Sequence, residues 1–481
     1  MRISSILSKA LLLAFSGLAL SPTILAQEVT FHKDIAPILQ RSCQGCHRVG
    51  GVAPMPLVEY DQVAPYAGLI EYKTALRDRP GAMPPWYMEK DIGIQHYKND
   101  PSLSDEELAA ISTWARTGTP EGNPSDAPEA LVFDDNTKWT LGEPDLIVTL
   151  EDFTKLAGTP DWWGELPRVP TGLEEDRYVK SVEIVEINDV GDDGTGRDTV
   201  GGLWIFHHVI WRTENLDENG DVVEDSATSW PVHEVGRNPD VFDPDAGRLL
   251  KAGSYFATDS AHMHSNGRDT TGHLQIGYRF HPKGYQPKYE RSVLGLGNGV
   301  DISVTGNKKD QELHAYTILE DYTKIITFEP HLHAPGERMC LEAIWGYTVE
   351  TLSCVGYDHN WVRGYPYDND YAPLLPPGTI LHIIGYMNNT EDNFNVPDPR
   401  NWQGSGNRSV TNMFIDLGIR VKMNQDQFYE EMERRRNKLN LGPNDHIVGC
   451  PLCLAPLVAP MAESPDGDNE LGDSVALQGA N

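Results

Sequence analysis

From about residue 139 onward the chain is a succession of short β-branched or alternating apolar runs, separated by clusters of Gly, Pro, Asn and Asp. The runs lie at 178–187, 203–211, 273–280, 324–333, 379–387 and 410–421. Many short runs with turn residues between them are typical of β-sandwiches, whereas βαβ units would place helical segments between strands. The span is long for one sandwich, and 295–306 offers a seam. The pattern therefore predicts two mainly antiparallel β-sandwich domains, at 139–290 and 291–425.

The region before these runs has a helical pattern. Residues 31–43 and 66–76 show helix-like apolar spacing, and Ser104 with Glu107 forms a capping box before another apolar helix face. We expect an all-α domain over 27–123, followed by a linker rich in Gly, Pro and acidic residues. At the other end, 426–481 is expected to hold a polar helix, starting at Gln425, and then a disordered acidic tail.

The first residues predict export. Arg2 and Lys9 precede an apolar run from Ala10 to Leu20, and a small-residue cleavage site ends at Ala26. Residues 1–26 therefore have the pattern of a secretory signal peptide, and we expect a periplasmic or secreted protein. No later stretch is apolar enough for a membrane span. A formal charge of −32 would repel nucleic acid and anionic lipids, which argues against both as partners.

Six cysteines fall into three pairs along the chain: Cys43/Cys46, Cys340/Cys354 and Cys450/Cys453. In an oxidising compartment, cysteine pairs that have no other function are expected to form disulfides. Cys340 and Cys354 flank a predicted hairpin, which favours a structural disulfide. The C-terminal pair could be redox-active, but no thioredoxin-like βαβ pattern lies nearby, so a disulfide that closes this segment is favoured.

A c-type haem attachment motif lies at the start of the helical region: Cys43-Gln44-Gly45-Cys46-His47. The two thiols can bond the haem vinyl groups, and His47 can supply the proximal iron ligand. The alternative is a plain disulfide beside an incidental histidine. Met83, within the Pro-rich stretch 80–86, is the favoured second axial ligand, and Met55 and Met88 are its rivals. Met/His ligation suits electron transfer.

Three histidine pairs occur in the predicted β region: His207-His208, His262-Met263-His264 and His331-Leu332-His333. In a strand, residues i and i+2 share a face, so a His-x-His sequence can direct two imidazoles to one metal ion. Adjacent histidines point to opposite faces and can share an ion only at a bulge or twist. Imidazole suits zinc, copper, iron and nickel, and a thioether beside it would favour copper. Several other histidines lack a partner at ligand spacing and are interpreted as ordinary ones: His96, His233, His314, His359, His382 and His446.

The order of these motifs resembles the copper type II, ascorbate-dependent monooxygenases. This family includes peptidylglycine α-hydroxylating monooxygenase and dopamine β-monooxygenase, and its bacterial relatives carry an N-terminal cytochrome c. The resemblance runs in order from 31–37 through 83–86 and the histidine pairs to 395–399 and 410–417. It depends on the order of the motifs, since no single motif is decisive.

The resemblance implies two coppers, one in each of two jelly-roll-like sandwiches. By position, one set would form the electron-storing site: His207, His208 and His262. A second set would bind oxygen, with a thioether that stabilises Cu(I): His331, His333 and Met413. The relatives show Gln-x-His-Tyr-His around the third histidine where this chain has Ser260-Ala261-His262-Met263-His264, so His264 is an alternative ligand. Met387 is a rival to Met413.

The implied activity is insertion of one oxygen atom of O₂ into a C–H bond of a small organic or peptide substrate. Electrons would reach two coppers through one covalent haem c, from an ascorbate-like reductant or a redox protein. An alternative is a non-catalytic periplasmic electron-transfer or copper-binding cytochrome. A third is a binding module with one structural zinc. The sequence alone does not identify the substrate.

Overall fold

The computed structural model describes residues 28–453, apart from the following: 50–52, 54, 133–138, 191–203, 236, 238, 294, 298–300, 407–410 and 443–444. The predicted signal peptide and the predicted tail after residue 453 lie outside the described residues. Within the described part of the chain, no helix is long and apolar enough to cross a membrane.

Short helices make up the first part of the chain. They are a π-helical turn Phe31–Ile35, α1 Ala36–Ser42, α2 Tyr60–Val63, a 3₁₀ turn Ala64–Tyr66, α3 Ala67–Ala75, α4 Asp105–Arg116 and a 3₁₀ turn Pro124–Asp126. Leu39, Val63 and Trp114 are fully buried in their shared core. The predicted capping box is confirmed, since Ser104 Oγ accepts from the Glu107 backbone N–H at the start of α4.

Two antiparallel six-stranded sheets follow. Their strands are β1 Leu146–Thr149, β2 Phe153–Lys155, β3 Trp162–Gly164, β4 Val169–Pro170, β5 Arg177–Asn188, β6 Phe206–Glu214, β7 Thr228–Ser229, β8 His233–Glu234, β9 Asp240–Val241, β10 Arg248–Leu250, β11 Tyr255–Met263 and β12 Thr270–Phe280. One sheet has the order β1-β12-β5-β10 and the other β3-β11-β6-β7, with the short strands attached at their sides. Val179, Trp211 and Ile276 belong to the hydrophobic core that these strands share.

The second β region contains β13 Glu290–Val293, β14 Leu296–Gly297, β15 Ser303–Val304, β16 Lys308–Ile318, β17 Tyr322–Ile325, β18 Thr327–Phe328, β19 Pro330–Leu332, β20 Gly336–Trp345, β21 Thr348–Gly356, β22 Tyr365–Pro366, β23 Leu374–Leu375, β24 Ile380–Asn389, β25 Gln403–Gly404, β26 Phe414–Asp416 and β27 Ile419–Met423. Its main sheets have the orders β16-β24-β20-β21 and β13-β27-β17-β23. The predicted C-terminal helix is present as α5, Gln425–Lys438, and Phe428 packs it against the first core.

The prediction of a mainly antiparallel β region is confirmed, although the strands differ locally from the predicted runs: 410–421 is divided between β26 and β27, and β11 and β16 lie outside all of the runs. The run 324–333, predicted as one strand, is divided among β17, β18 and β19. Pro330 has no backbone N–H, so it begins β19 and cannot donate to a continuous ladder. The division matters because β19 carries His331.

One stretch of the N-terminal region leaves the helices and lies on the second β region. Trp86, Met88 and Tyr97 are buried in the core that the second β region forms. Met88 forms a backbone bridge with Val355. The chain between α3 and α4 therefore connects the helical region to the sheets.

Both predicted disulfides form. Cys340 and Cys354 are direct cross-strand partners in the hairpin of β20 and β21. Cys450 and Cys453 are joined as well, and both are buried in the first core. Two disulfides are expected of a protein that matures in an oxidising compartment.

Candidate metal centre

The two cysteines of the haem motif are free thiols, unlike the other four. They lie in the turn that ends α1, where the Cys46 and His47 backbone N–H groups donate to the Cys43 carbonyl. His47 Nδ1 lies 3.0 Å from the Met55 carbonyl oxygen, so it donates there as the N–H tautomer. Its Nε2 remains as the basic nitrogen, and burial lowers the pKa of His47. Two free thiols and a neutral, oriented imidazole fit covalent haem.

The three methionines considered for the second axial position occupy different surroundings. Met88 is core-packed in the second β region, and Met55 packs against the helical core. Met83 is half-buried, two residues after Gly81, and belongs to neither the helical core nor the core of the second β region. It stays the predicted ligand.

A β-bulge brings together the first histidine set. Along the β6–β11 pair, His262 faces His208 while the next residue, Met263, faces Phe206. His207 is therefore the extra residue of a bulge, which is one of the two irregularities that would let adjacent histidines share an ion. The ligand nitrogens of His207, His208 and His262 all lie within 4.8 Å of one another.

The nitrogens of this set are ready to bind a cation. His207 Nδ1 and His262 Nδ1 are buried without a hydrogen-bond partner. Such a buried group costs about 1–3 kcal/mol when it is left unpaired. Burial lowers the pKa of His207 well below its usual value and that of His208 to about 4. Neutral imidazoles are the form that binds metals, so the site fits a metal ion that would satisfy the unpaired nitrogens.

His262 is also better placed than His264 to be the third ligand. Trp163 stacks on the His262 ring at 3.8 Å between centroids, and His262 Nε2 lies 2.9 Å from Asp161 Oδ2. This second contact orients the ring and leaves Nδ1 free. His264 Nε2 is engaged likewise, 3.2 Å from the Trp204 carbonyl, so the difference is that the ligand nitrogen of His262 lies within 4.8 Å of those of His207 and His208.

The second histidine set lies at the end of β19. The rings of His331 and His333 are 5.4 Å apart between centroids. β19 pairs with β26 so that Leu332 faces Phe414. The ladder ends at this pair, and Met413 directly precedes Phe414 along the chain. Met387, the rival thioether, is instead buried in the second core.

A buried carboxylate from the first β region holds His331. Glu234 lies in β8 opposite His208, and its Oε1 is 2.7 Å from His331 Nδ1. Burial opposes charge on both groups, but their mutual attraction outweighs it: the pKa of Glu234 falls to about 2 and that of His331 rises. Carboxylate–histidine pairs of this kind orient metal ligands. The sequence analysis did not identify Glu234, because no local pattern reports a contact with a residue 97 positions away.

His359 was interpreted as an ordinary histidine, but it lies between the two sets. Its ring is 5.7 Å from that of His207 and 6.3 Å from that of His333, between centroids. Its Nδ1 is buried without a hydrogen-bond partner. Burial lowers the pKa of His359 to about 4 and that of His333 to about 2. We use "histidine cluster" for the two sets and this residue: His207, His208, His262, His331, His333 and His359.

No protein-family model matches the sequence, and no curated protein matches it either. Among solved structures, recombinant N-glycanase F (PNGase F) is similar at a TM-score of 0.25 and 10% identity, covering 58% of this chain and 97% of that chain. PNGase F from Flavobacterium meningosepticum, described as a glycosylasparaginase, gives 0.26 at 10% identity, with 58% and 96% covered. The CBM22-1-CBM22-2 tandem domain of Paenibacillus barcinonensis Xyn10C gives 0.15 at 8% identity, with 58% and 98% covered. Likeness at these TM-scores supports no conclusion about fold family or function.

Proposed function

We propose that the protein is a periplasmic or secreted monooxygenase that uses copper at the histidine cluster and a covalent haem in the helical region, folded as a cytochrome c domain. It would hydroxylate a C–H bond of a small organic or peptide substrate with O₂. The observation that carries the proposal is the convergence of His207, His208 and His262 within 4.8 Å, with His331 and His333 bridged to them by His359.

The residues divide the work as follows. When bound, copper would supply one-electron storage at one site and O₂ binding at the other. His207, His208 and His262 would hold the first ion, and the bulge in β6 aims both adjacent imidazoles at it. His331, His333 and Met413 would hold the second. Glu234 would orient His331 as an ion-pair partner, because its Oε1 lies 2.7 Å from Nδ1, a contact without hydrogen-bond geometry.

The helical region would accept electrons from outside. When bound, haem would supply one-electron transfer at low energetic cost. Cys43 and Cys46 would attach it, and His47 is held by the Met55 carbonyl so that Nε2 can face the iron. A small ascorbate-like reductant or a redox protein would be the donor. We propose Met83 as the second axial ligand and jelly-roll-like sandwiches as the scaffold of the copper sites.

The proposal is tested first by metal content. Protein matured in a periplasm, reconstituted with copper and dialysed exhaustively should contain two coppers per haem iron. His331→Ala should lower the copper to about one per iron, because the second site loses a ligand. His446→Ala is the matched control, since this exposed histidine contacts Glu350 outside the cluster and should leave the ratio unchanged. Zinc in place of copper would instead identify a structural zinc module and overturn the proposal.

Copper alone does not separate a monooxygenase from an electron-transfer protein. O₂ uptake by the reduced, copper-loaded protein should increase with a panel of glycine-extended peptides and catecholamines, and the increase should be lost in His331→Ala. If both coppers and haem are present but no tested compound increases O₂ uptake above the substrate-free rate, the non-catalytic alternative is favoured.

A further inference from the structure

The loop after β21 touches both the Met83 segment and the histidine cluster. Asp358, buried, and His359 are consecutive residues in this loop. Asp358 contacts the segment that carries Met83, and His359 contacts the rings of His207 and His333. The two contacts are therefore separated by one peptide unit, about 3.8 Å between Cα atoms.

The contacts of Asp358 are specific. Its Oδ2 accepts from the Gly81 backbone N–H at 2.9 Å and from the Tyr87 hydroxyl at 3.2 Å. These two donors flank Met83 on either side. Oδ1 accepts from the Asn360 backbone N–H at 3.0 Å, which shapes the turn that follows. The Asp358 carboxylate thus stabilises the turn of the loop and also binds the Met83 segment to it.

Backbone packing makes this contact close. The Gly356 N–H donates to the Tyr87 carbonyl at 2.9 Å. A Cβ added at Gly356 would lie 1.8 Å from the Asp78 carbonyl oxygen, so only glycine allows these two segments of the backbone to approach each other here. The Trp86 and Tyr365 rings meet edge to face at 4.9 Å farther along the loop.

At the other end, His359 is poised among metal-binding groups. Its Nδ1 is buried and has no hydrogen-bond partner, and its ring lies between one histidine of each set. An unpaired buried nitrogen in such a position needs a reason. A structural histidine would be expected to donate or accept a bond there.

We propose that Asp358 and His359 form the internal electron bridge between the haem and the histidine cluster. This inference rests on the proposed function. One electron passes at a time: haem iron is oxidised from Fe(II) to Fe(III), copper is reduced from Cu(II) to Cu(I), and no bond or proton moves. The external reductant then returns the haem to Fe(II). Asp358 is a positioning residue that keeps the Met83 segment against the bridge.

The test measures the oxidation state of the haem rather than the hydroxylated product. In anaerobic holoprotein loaded with Cu(II), a light flash reduces the haem through a photoreductant, and its reoxidation is recorded in the haem visible band. A rate independent of protein concentration marks transfer within one molecule. Asp358→Ala should slow this phase about tenfold, equivalent to roughly 1.4 kcal/mol of barrier, with copper content and haem spectrum unchanged. Glu89→Ala is the matched control, since its ion pair with Arg338 joins the same two regions through neither Asp358 nor His359; it should leave the rate unchanged.

Each outcome decides. An unchanged rate in Asp358→Ala, or equal slowing in Glu89→Ala, overturns the bridge. If Asp358→Ala fails to mature, Tyr87→Phe decides, because it removes one hydroxyl and should still slow the phase. If copper is not retained, the proposed function fails. If copper and haem are both loaded but no concentration-independent reoxidation occurs, the bridge alone fails.

Discussion

At the residue scale, Glu234 has the clearest role that the sequence did not reveal. It is buried, pairs with His331 at 2.7 Å, and faces His208 across the strand pair. Both histidine sets therefore meet the same short strand. Its other oxygen, Oε2, is buried without a hydrogen-bond partner. A change to this carboxylate should affect metal binding at the second site.

Glu234→Gln should weaken copper at the second site about 10- to 100-fold, the usual effect of removing a residue that orients a metal ligand. The amide keeps the shape but removes the negative charge that lies 2.7 Å from His331 Nδ1. Competition with a copper chelator measures this affinity. Glu214→Gln provides a buried-glutamate control, since Glu214 pairs with Arg168 and Arg212. Equal loss in both variants would contradict the role given to Glu234.

Asp416 should make stability depend on pH. It is fully buried, and burial raises its pKa to about 7. Its Oδ1 accepts from the Glu329 and Gly418 backbone N–H groups, while Oδ2 has no partner. An unfolded aspartate has a pKa of about 3.9. Between these values the folded state binds more protons, so stability falls as pH rises from about 4 to 7.

Asp416→Asn should remove this slope and raise the unfolding free energy at pH 8 by on the order of 1–3 kcal/mol. The amide oxygen can still accept both backbone bonds, and no charge is buried. Thermal unfolding of both proteins between pH 5 and pH 8 checks the result. The prediction fails if the variant keeps the wild-type slope.

At the element scale, local patterns predicted several long strands, the C-terminal helix and both disulfides, but they did not predict β11 or β16. Alternating apolar residues specify a strand whatever lies around it, and a capping box specifies a helix start. The bulge at His207 could be expected from two adjacent histidines alone. The division of 324–333 into three strands could not, because it depends on which strand each short piece pairs with.

The hairpin of β20 and β21 offers a comparison between the two disulfides. The Cys340–Cys354 disulfide joins residues 14 positions apart in the sequence, and the Cys450–Cys453 disulfide joins residues 3 positions apart. Longer loops lose more entropy in the unfolded chain when they are closed. Cys340→Ala/Cys354→Ala should therefore lower the unfolding free energy by about 2–4 kcal/mol, and the Cys450→Ala/Cys453→Ala pair by less. Denaturant unfolding measures both, and the reverse order would contradict the argument.

At the scale of the whole molecule, a buried ion pair joins the two β regions. The Arg237 guanidinium makes two bonds to Glu329, one of them at 2.8 Å, and also binds Asp240. Both side chains of the pair are almost fully buried. Glu329 stands two residues before His331, so this pair fixes the strand that carries the second histidine set.

Arg237→Met should cost about 3–5 kcal/mol of unfolding free energy, because it leaves buried carboxylates uncompensated. The double variant Arg237→Met/Glu329→Gln should recover part of that loss, since one uncompensated charge is removed. Calorimetry of the copper-free protein separates these values from any effect of metal binding. A single variant as stable as the wild type would show that the pair does not hold the regions together.

The parts of the site that the sequence could not predict are those set by contacts between distant segments. His359 sits in a loop with no neighbour at ligand spacing. It joins the cluster because contacts with distant segments hold this loop, through Asp358 to the Met83 segment and through the Tyr357 hydroxyl to the Leu332 carbonyl. The position of Glu234 beside His331 and the burial of Trp86 in the second core likewise depend on contacts between distant segments. Histidine pairs are visible in a sequence because their partners are adjacent, whereas these contacts exist only after folding.

The shared construction of the histidine cluster also sets the order of maturation. β6 and β11 contribute one set, β19 the other, and the loop after β21 the residue between them. If the protein is exported as proposed, a partly translocated chain would hold only fragments of this arrangement. Copper met at that stage would be held weakly and exchanged readily. Tight loading would come last, so a retained full complement of metal reports that every segment has reached its place.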